Sequence, residues 1–91
     1  MPSLIDRVAI VTGGATKIGR GVVDVLRSEG ATVVVADIDA EGLAALDAGI
    51  DAQQCDIADD AQLASLVSGT VERHGRLDIV VNLAATYLDE G

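Results

Sequence analysis

Phenylalanine and tryptophan are absent from the 91 residues of this chain, and Tyr87 is its only aromatic residue. Any core must be assembled from Val, Ile, Leu and Ala, side chains suited to helices packed on a sheet. Cysteine is scarce too. Cys55 stands alone, so it cannot form an internal disulfide, and it reads as a small buried hydrophobe with no catalytic role. Basic residues are few: six Lys and Arg against fifteen Asp and Glu leave a formal net charge of -9. The six are scattered, and such a chain repels phosphate backbones and anionic lipid. No apolar stretch reaches the roughly 18 residues of a spanning helix, and MPSLIDRVAIV at the start lacks a basic segment followed by a cleavable apolar one. The expectation is a cytoplasmic protein that engages neither nucleic acid nor membrane. Small molecules or other proteins remain as partners, with any phosphate held by backbone amides.

What is present is an alternation of two kinds of segment within a single domain, since domains typically run to about 100 to 200 residues. Arg7 to Val11 is a continuous β-branched run that predicts a parallel strand covered on both faces. From Ile18 to Glu29, Ile18, Val22, Val25 and Leu26 recur at helical spacing, and Gly30 stands where a left-handed helix end belongs. Thr32 to Ala36 predicts a second buried strand, closed by Asp37. A short helix over Ala40 to Ala48 and a weak alternating strand over Ile50 to Cys55 follow. Asp59 or Asp60 is placed to cap a third helix reaching His74, with Leu63, Leu66, Val67 and Val71 as its buried stripe and Gly75 at its end. Leu77 to Val81 predicts a fourth strand. Strands alternating with helices resolve as right-handed parallel crossovers, hence a doubly wound α/β sheet.

Between the first strand and the first helix lies TGGATKIGRG, Thr12 to Gly21. A strand that ends in Thr-Gly-Gly and opens into a helix gathers unpaired backbone N–H groups, those of Lys17 and Ile18 among them, and the positive end of a helix dipole. That spot favours an anion. In a dinucleotide site one glycine makes the tight turn and another lets helix and strand pack closely, roles open to Gly13 and Gly19. Glycine serves strand-to-helix turns without a ligand as well. Lys17 reads as a solvated loop side chain or as a charge-assisted donor to a phosphate, and Arg20 reads as facing solvent. His74, at a helix C-terminus with no metal-ligand pattern around it, reads as a surface residue.

These landmarks, in this order, resemble the first half of a short-chain dehydrogenase/reductase, which implies a doubly wound sheet of Rossmann type. The family's Thr-Gly-x-x-x-Gly-x-Gly turn is matched at Thr12, Gly13 and Gly19, with Lys17 in place of its middle glycine. Asp37, about 20 residues beyond the turn, matches the acidic residue that accepts both ribose hydroxyls of NAD and repels a 2'-phosphate, which favours NAD over NADP. Asp56 and Ile57 are similar to the family's Asp-Ile pair, implying an adenine contact. LDIVVNLAA, Leu77 to Ala85, is similar to the family's LDxLVNNAG, with Asn82 retained, Leu83 for the second Asn and Ala85 for the Gly. By resemblance Asn82 steadies the sheet, while the backbone at Ala84 and Ala85 lines the cofactor ribose.

The resemblance also implies what to look for elsewhere. The family's catalytic Ser and its Tyr-x-x-x-Lys are not in this chain; the residue four positions after Tyr87 is Gly91. The expectation is therefore a coenzyme-binding fragment, cut after its fourth strand and inactive by itself, from an enzyme acting on an alcohol or carbonyl as a dimer or tetramer. Two other readings stand beside it. One is a non-catalytic nucleotide-binding module ending at Gly91. The other is a P-loop phosphotransferase, since Gly14 to Gly19 has the G-x-x-x-x-G spacing, although Arg20 and Gly21 replace the Lys and the Ser or Thr that such a loop needs. No metal ligand set is expected.

Overall fold

The computed structural model describes residues 3–83. The elements alternate as expected: β1 (Val8–Thr12), α1 (Lys17–Ser28), β2 (Thr32–Asp37), α2 (Ala40–Ala44), β3 (Asp51–Gln54), α3 (Asp60–His74) and β4 (Ile79–Asn82). All pairings are parallel, in the order β3-β2-β1-β4. This is the Rossmann arrangement. The predicted boundaries shift by a residue or two except at α2, which ends four residues early, at Ala44, where Ala45 caps the helix and a turn follows.

Strand alternation divides the core between the two faces of the sheet. Val11, Val33 and Val35 meet Val23 of α1 and Leu43 of α2 on one face. Ile10, Val34 and Ala36 meet Leu66 of α3 and Cys55 on the other. The register Ile10↔Val34 and Val11↔Val35 stacks like against like across the strands. β1 is buried along its whole length, which explains its unbroken run of apolar residues. Full burial of each such valine contributes about 1.5 to 3 kcal/mol. The polar lock on this core is at its lower edge, where Asp78 accepts from Val8 N–H at 2.9 Å and pairs with Arg76 at 2.8 Å, joining the start of β1 to the segment before β4.

Three expectations are corrected. Ile18 and Val25 are not part of the buried face of α1; they are 76% and 63% exposed, and Val23 is buried instead. At the start of α1 it is Gly19, packed against the Gly13–Gly14 backbone, that faces inward, and its neighbour Ile18 stands outside. In α3, only Leu66 and Thr70 are fully covered, while Leu63, Val67 and Val71 remain partly open. Leu66 is the α3 residue that joins the cluster of Ile10, Val34, Ala36 and Cys55 on this face of the sheet. His74 is not a free surface residue. Its Nε2 lies 2.8 Å from Asp51 Oδ2, beside Arg73 Nε at 2.9 Å, tying the end of α3 to β3.

Candidate functional site

Gly13 begins the turn with φ of 75°, a left-handed conformation that disfavours any residue with a Cβ. Its N–H donates to Ala36 O at 2.8 Å, pinning the turn to the end of β2. Thr16 then caps α1: its hydroxyl donates to Gly13 O at 2.8 Å and accepts from Gly19 N–H at 3.0 Å. A Cβ on Gly19 would stand 2.6 Å from Gly14 Cα and closer still to Gly13 O, so only glycine lets the helix sit this near the turn. No described residue accepts from the backbone N–H groups of Lys17 and Ile18. They face outward at the positive end of the helix, as an anion site requires.

From this turn a cleft of about 410 Å³ runs across the C-terminal ends of β1, β2 and β3, lined by Gly13, Thr16, Asp37, Asp39, Cys55, Asp56 and Ile57 among others. Open α/β sheets bind ligands outside these strand ends. Asp37 holds the middle of the cleft. Its Oδ2 accepts from Ala15 N–H at 3.1 Å and its Oδ1 from Asp39 N–H at 3.0 Å, while its carbonyl accepts from Cys55 N–H at 3.0 Å. Asp39 in turn caps α2 through Glu41 N–H. Asp56 folds into a turn with Ala58 N–H on its Oδ1, and its own N–H donates to Gln62. Ile57 is half-buried against the Ile10 and Val34 face.

The predicted residues are thus gathered, with differences. Thr12, Gly13, Lys17, Ile18, Gly19 and Asp37 surround the turn; Asp56 and Ile57 stand across the cleft. Asn82 lies beyond β1 at the far side, where its Oδ1 accepts from Thr12 Oγ1 at 2.6 Å. Ala84 and Ala85 lie outside the described residues. Cys55 reaches the cleft wall but is buried, and burial, followed by the charges of Asp56 and Asp59, pushes its thiol above the usual range. Both effects disfavour the thiolate, the reactive form of a cysteine.

Arg20 does not simply face solvent. Its Nε donates to Ala15 O at 3.2 Å and its guanidinium reaches Gly42 O at 3.5 Å, bracing the turn against α2. That placement takes it out of a P-loop role. Thr16 and Gln62 were not anticipated; a Thr before an apolar helical run is an N-cap signal that could have marked the first, whereas Gln62 carries no local signal. Among the described residues no group of His, Cys, Asp or Glu is arranged to hold a metal, and no helix is long and apolar enough to cross a membrane.

Known proteins share this arrangement. The short chain dehydrogenase family matches residues 7–90. (+)-Borneol dehydrogenase 1 of Salvia officinalis is 43% identical over 85 residues, covering 89% of this chain and 33% of that protein. Galactitol 2-dehydrogenase of Agrobacterium fabrum is 38% identical over 88 residues, covering 92% and 34%. Among solved structures, levodione reductase superposes with a TM-score of 0.76 at 35% identity, covering 85% of this chain and 33% of its own. The 3-ketoacyl-(acyl-carrier-protein) reductase of Brucella melitensis, solved with NADH, gives 0.77 at 28% identity, covering 86% and 34%. The chain therefore spans about a third of the length of these relatives. A match through residues 7–90, repeated in plant and bacterial relatives and in the fold of solved reductases, makes this chain a member of the short-chain dehydrogenase family of oxidoreductases.

Proposed function

We propose that the chain forms the coenzyme-binding half of an NAD-dependent short-chain dehydrogenase that moves hydride between the nicotinamide and an alcohol or carbonyl substrate. The observation that carries the reading is Asp37, whose carboxylate lines the cleft at the end of β2 and hydrogen-bonds the glycine turn. An acceptor here suits ribose hydroxyls and opposes a 2'-phosphate. The Lys17 and Ile18 amides hold the phosphate bridge at the helix start, Gly13 and Gly19 let the bridge come close, and Asp56 and Ile57 flank the adenine. Thr12 and Asn82 fasten β1 to β4 beneath the nicotinamide end. Bound there, the dinucleotide supplies the hydride acceptor or donor. NADH in the Brucella melitensis relative supports the assignment.

These 91 residues hold no counterpart of the family's Tyr-x-x-x-Lys, since Gly91 stands four positions after Tyr87. The chain by itself binds coenzyme and does not catalyse; the complete enzyme works in the cytoplasm as a homo-oligomer. Calorimetric titration of the full-length protein with NADH and with NADPH tests the reading. Tighter NADH binding is expected. Tighter NADPH binding overturns the NAD assignment, and binding of neither overturns the coenzyme site.

A further inference from the structure

The chain's basic side chains are nearly all occupied. Arg7 and Arg76 pair with Asp78, Arg27 with Asp47 and Arg73 with Asp51, while Arg20 is spent on two carbonyls. The chain's one lysine is the exception. Lys17 is exposed and, among the described residues, its ammonium has neither an ion-pair nor a hydrogen-bond partner. This is unusual company for a free cation in a protein of net charge -9, with Asp37, Asp39 and Asp56 lining the neighbouring cleft.

Its position gives it a use. Lys17 is the first residue of α1, and Cα–Cβ bonds in a helix tilt toward the N-terminus, so its side chain leans toward the end from which an anion approaches. Its own N–H and that of Ile18 are without described acceptors at the same place. Nor does the backbone demand glycine here: among the described residues, Asp6 is the only non-glycine with positive φ, so Lys17 sits in α1 without strain. A side chain at this position costs nothing in backbone conformation and adds a mobile positive charge beside the turn.

Resting on the dinucleotide reading above, we infer that Lys17 is a coenzyme-positioning residue whose ammonium contacts the bridging diphosphate. It offsets the repulsion between that bridge and the acidic cleft. The contact is to the part NADH and NADPH share, and a lysine can make it as a point charge without the fixed geometry of an arginine.

The test is calorimetric titration of the full-length protein and its Lys17→Gln, Lys17→Gly and Lys17→Arg variants with NADH and NADPH, each at low and high salt. Loss of the charge is expected to weaken both coenzymes equally, by about three- to fivefold at low salt, as suits an exposed ionic contact. The loss shrinks at high salt, and Lys17→Arg restores most of the affinity. Equal affinity in the Gln variant overturns the inference, as does tighter binding in the Gly variant. A loss confined to NADPH also overturns it, placing the ammonium on the 2'-phosphate. Should the unmodified protein bind neither coenzyme, the coenzyme reading itself fails, a result distinct from all of these. Unchanged thermal midpoints across the variants exclude a folding effect.

Discussion

Asp37 Oδ2 accepts a hydrogen bond from the backbone N–H of Ala15 at 3.1 Å, so the carboxylate assigned to the coenzyme ribose also holds the glycine turn in place. With Asp39 N–H on its other oxygen, the group joins the turn to the cap of α2 before any ligand arrives. On the proposed function, coenzyme choice and turn geometry would be coupled through one side chain.

Replacing that side chain affects both. Asp37→Ala in the full-length protein is expected to weaken NADH by about ten- to a hundredfold, the scale of hydrogen bonds to a charged group. NADPH loses far less, because the repulsion of its 2'-phosphate disappears with the carboxylate. The ratio of the two dissociation constants therefore narrows; an unchanged ratio in a titration would remove Asp37 from the ribose site.

Two glycines in α1 separate packing from propensity. A Cβ on Gly19 meets backbone that cannot yield, and Gly19→Ala should destabilise the fold by about 1 to 3 kcal/mol, the usual cost of overpacking. At Gly21 an added methyl group would meet nothing within 4 Å, and the backbone there is not left-handed. Gly21→Ala should stabilise by about 0.5 to 1 kcal/mol, because alanine loses less conformational entropy in a helix. Urea unfolding reads both signs.

Acid stability should report Asp78. The Arg76 guanidinium and the Val8 N–H hold its carboxyl down at about 2, against the ordinary 3.8. A depressed folded-state value means that the stabilisation is complete above the unfolded value and disappears as the pH falls from near 4 toward 2. Thermal midpoints of Asp78→Asn should lie below those of the parent at neutral pH and converge with them at the acid end. Parallel curves over that range would count against the assignment.

Thr12 is buried under the β1–β4 pair, and its hydroxyl meets Asn82 at 2.6 Å. Thr12→Val keeps the shape and removes the bond, and the exposed Asn82 amide can turn to water. The expected cost is about 1 kcal/mol or less in unfolding experiments. A larger effect on NADH affinity than on stability would place the pair within reach of the coenzyme.

Much of this was legible in the residues themselves. Val8 to Val11 and Val33 to Ala36 announce buried parallel strands, because a strand covered on both faces must be apolar at every position. Gly30 and Gly75 end their helices with φ of 97° and 84°, as their places after the apolar runs suggest. Burial within the helices was less legible. Apolar spacing in α3 marks Leu63, Leu66, Val67 and Val71 as one broad face, but only contact with the sheet selects Leu66 from it. Ile18 follows the helical period and still points outward. His74 gives no local hint of Asp51, which approaches it from another element.

The order of residues alone sets the alternation of strand and helix, the glycine turn and the acidic residue that follows it, since these rest on local conformational preference and on side chains read a few residues apart. What those residues do to one another is settled only when the chain crosses itself in space. Asp37 reaching back to Ala15, Arg20 bracing α2 and Lys17 left without a partner among the described residues all depend on groups that the crossings bring together or keep apart. Hydrogen bonds and ion pairs act over a few ångströms in space, whatever the separation along the chain.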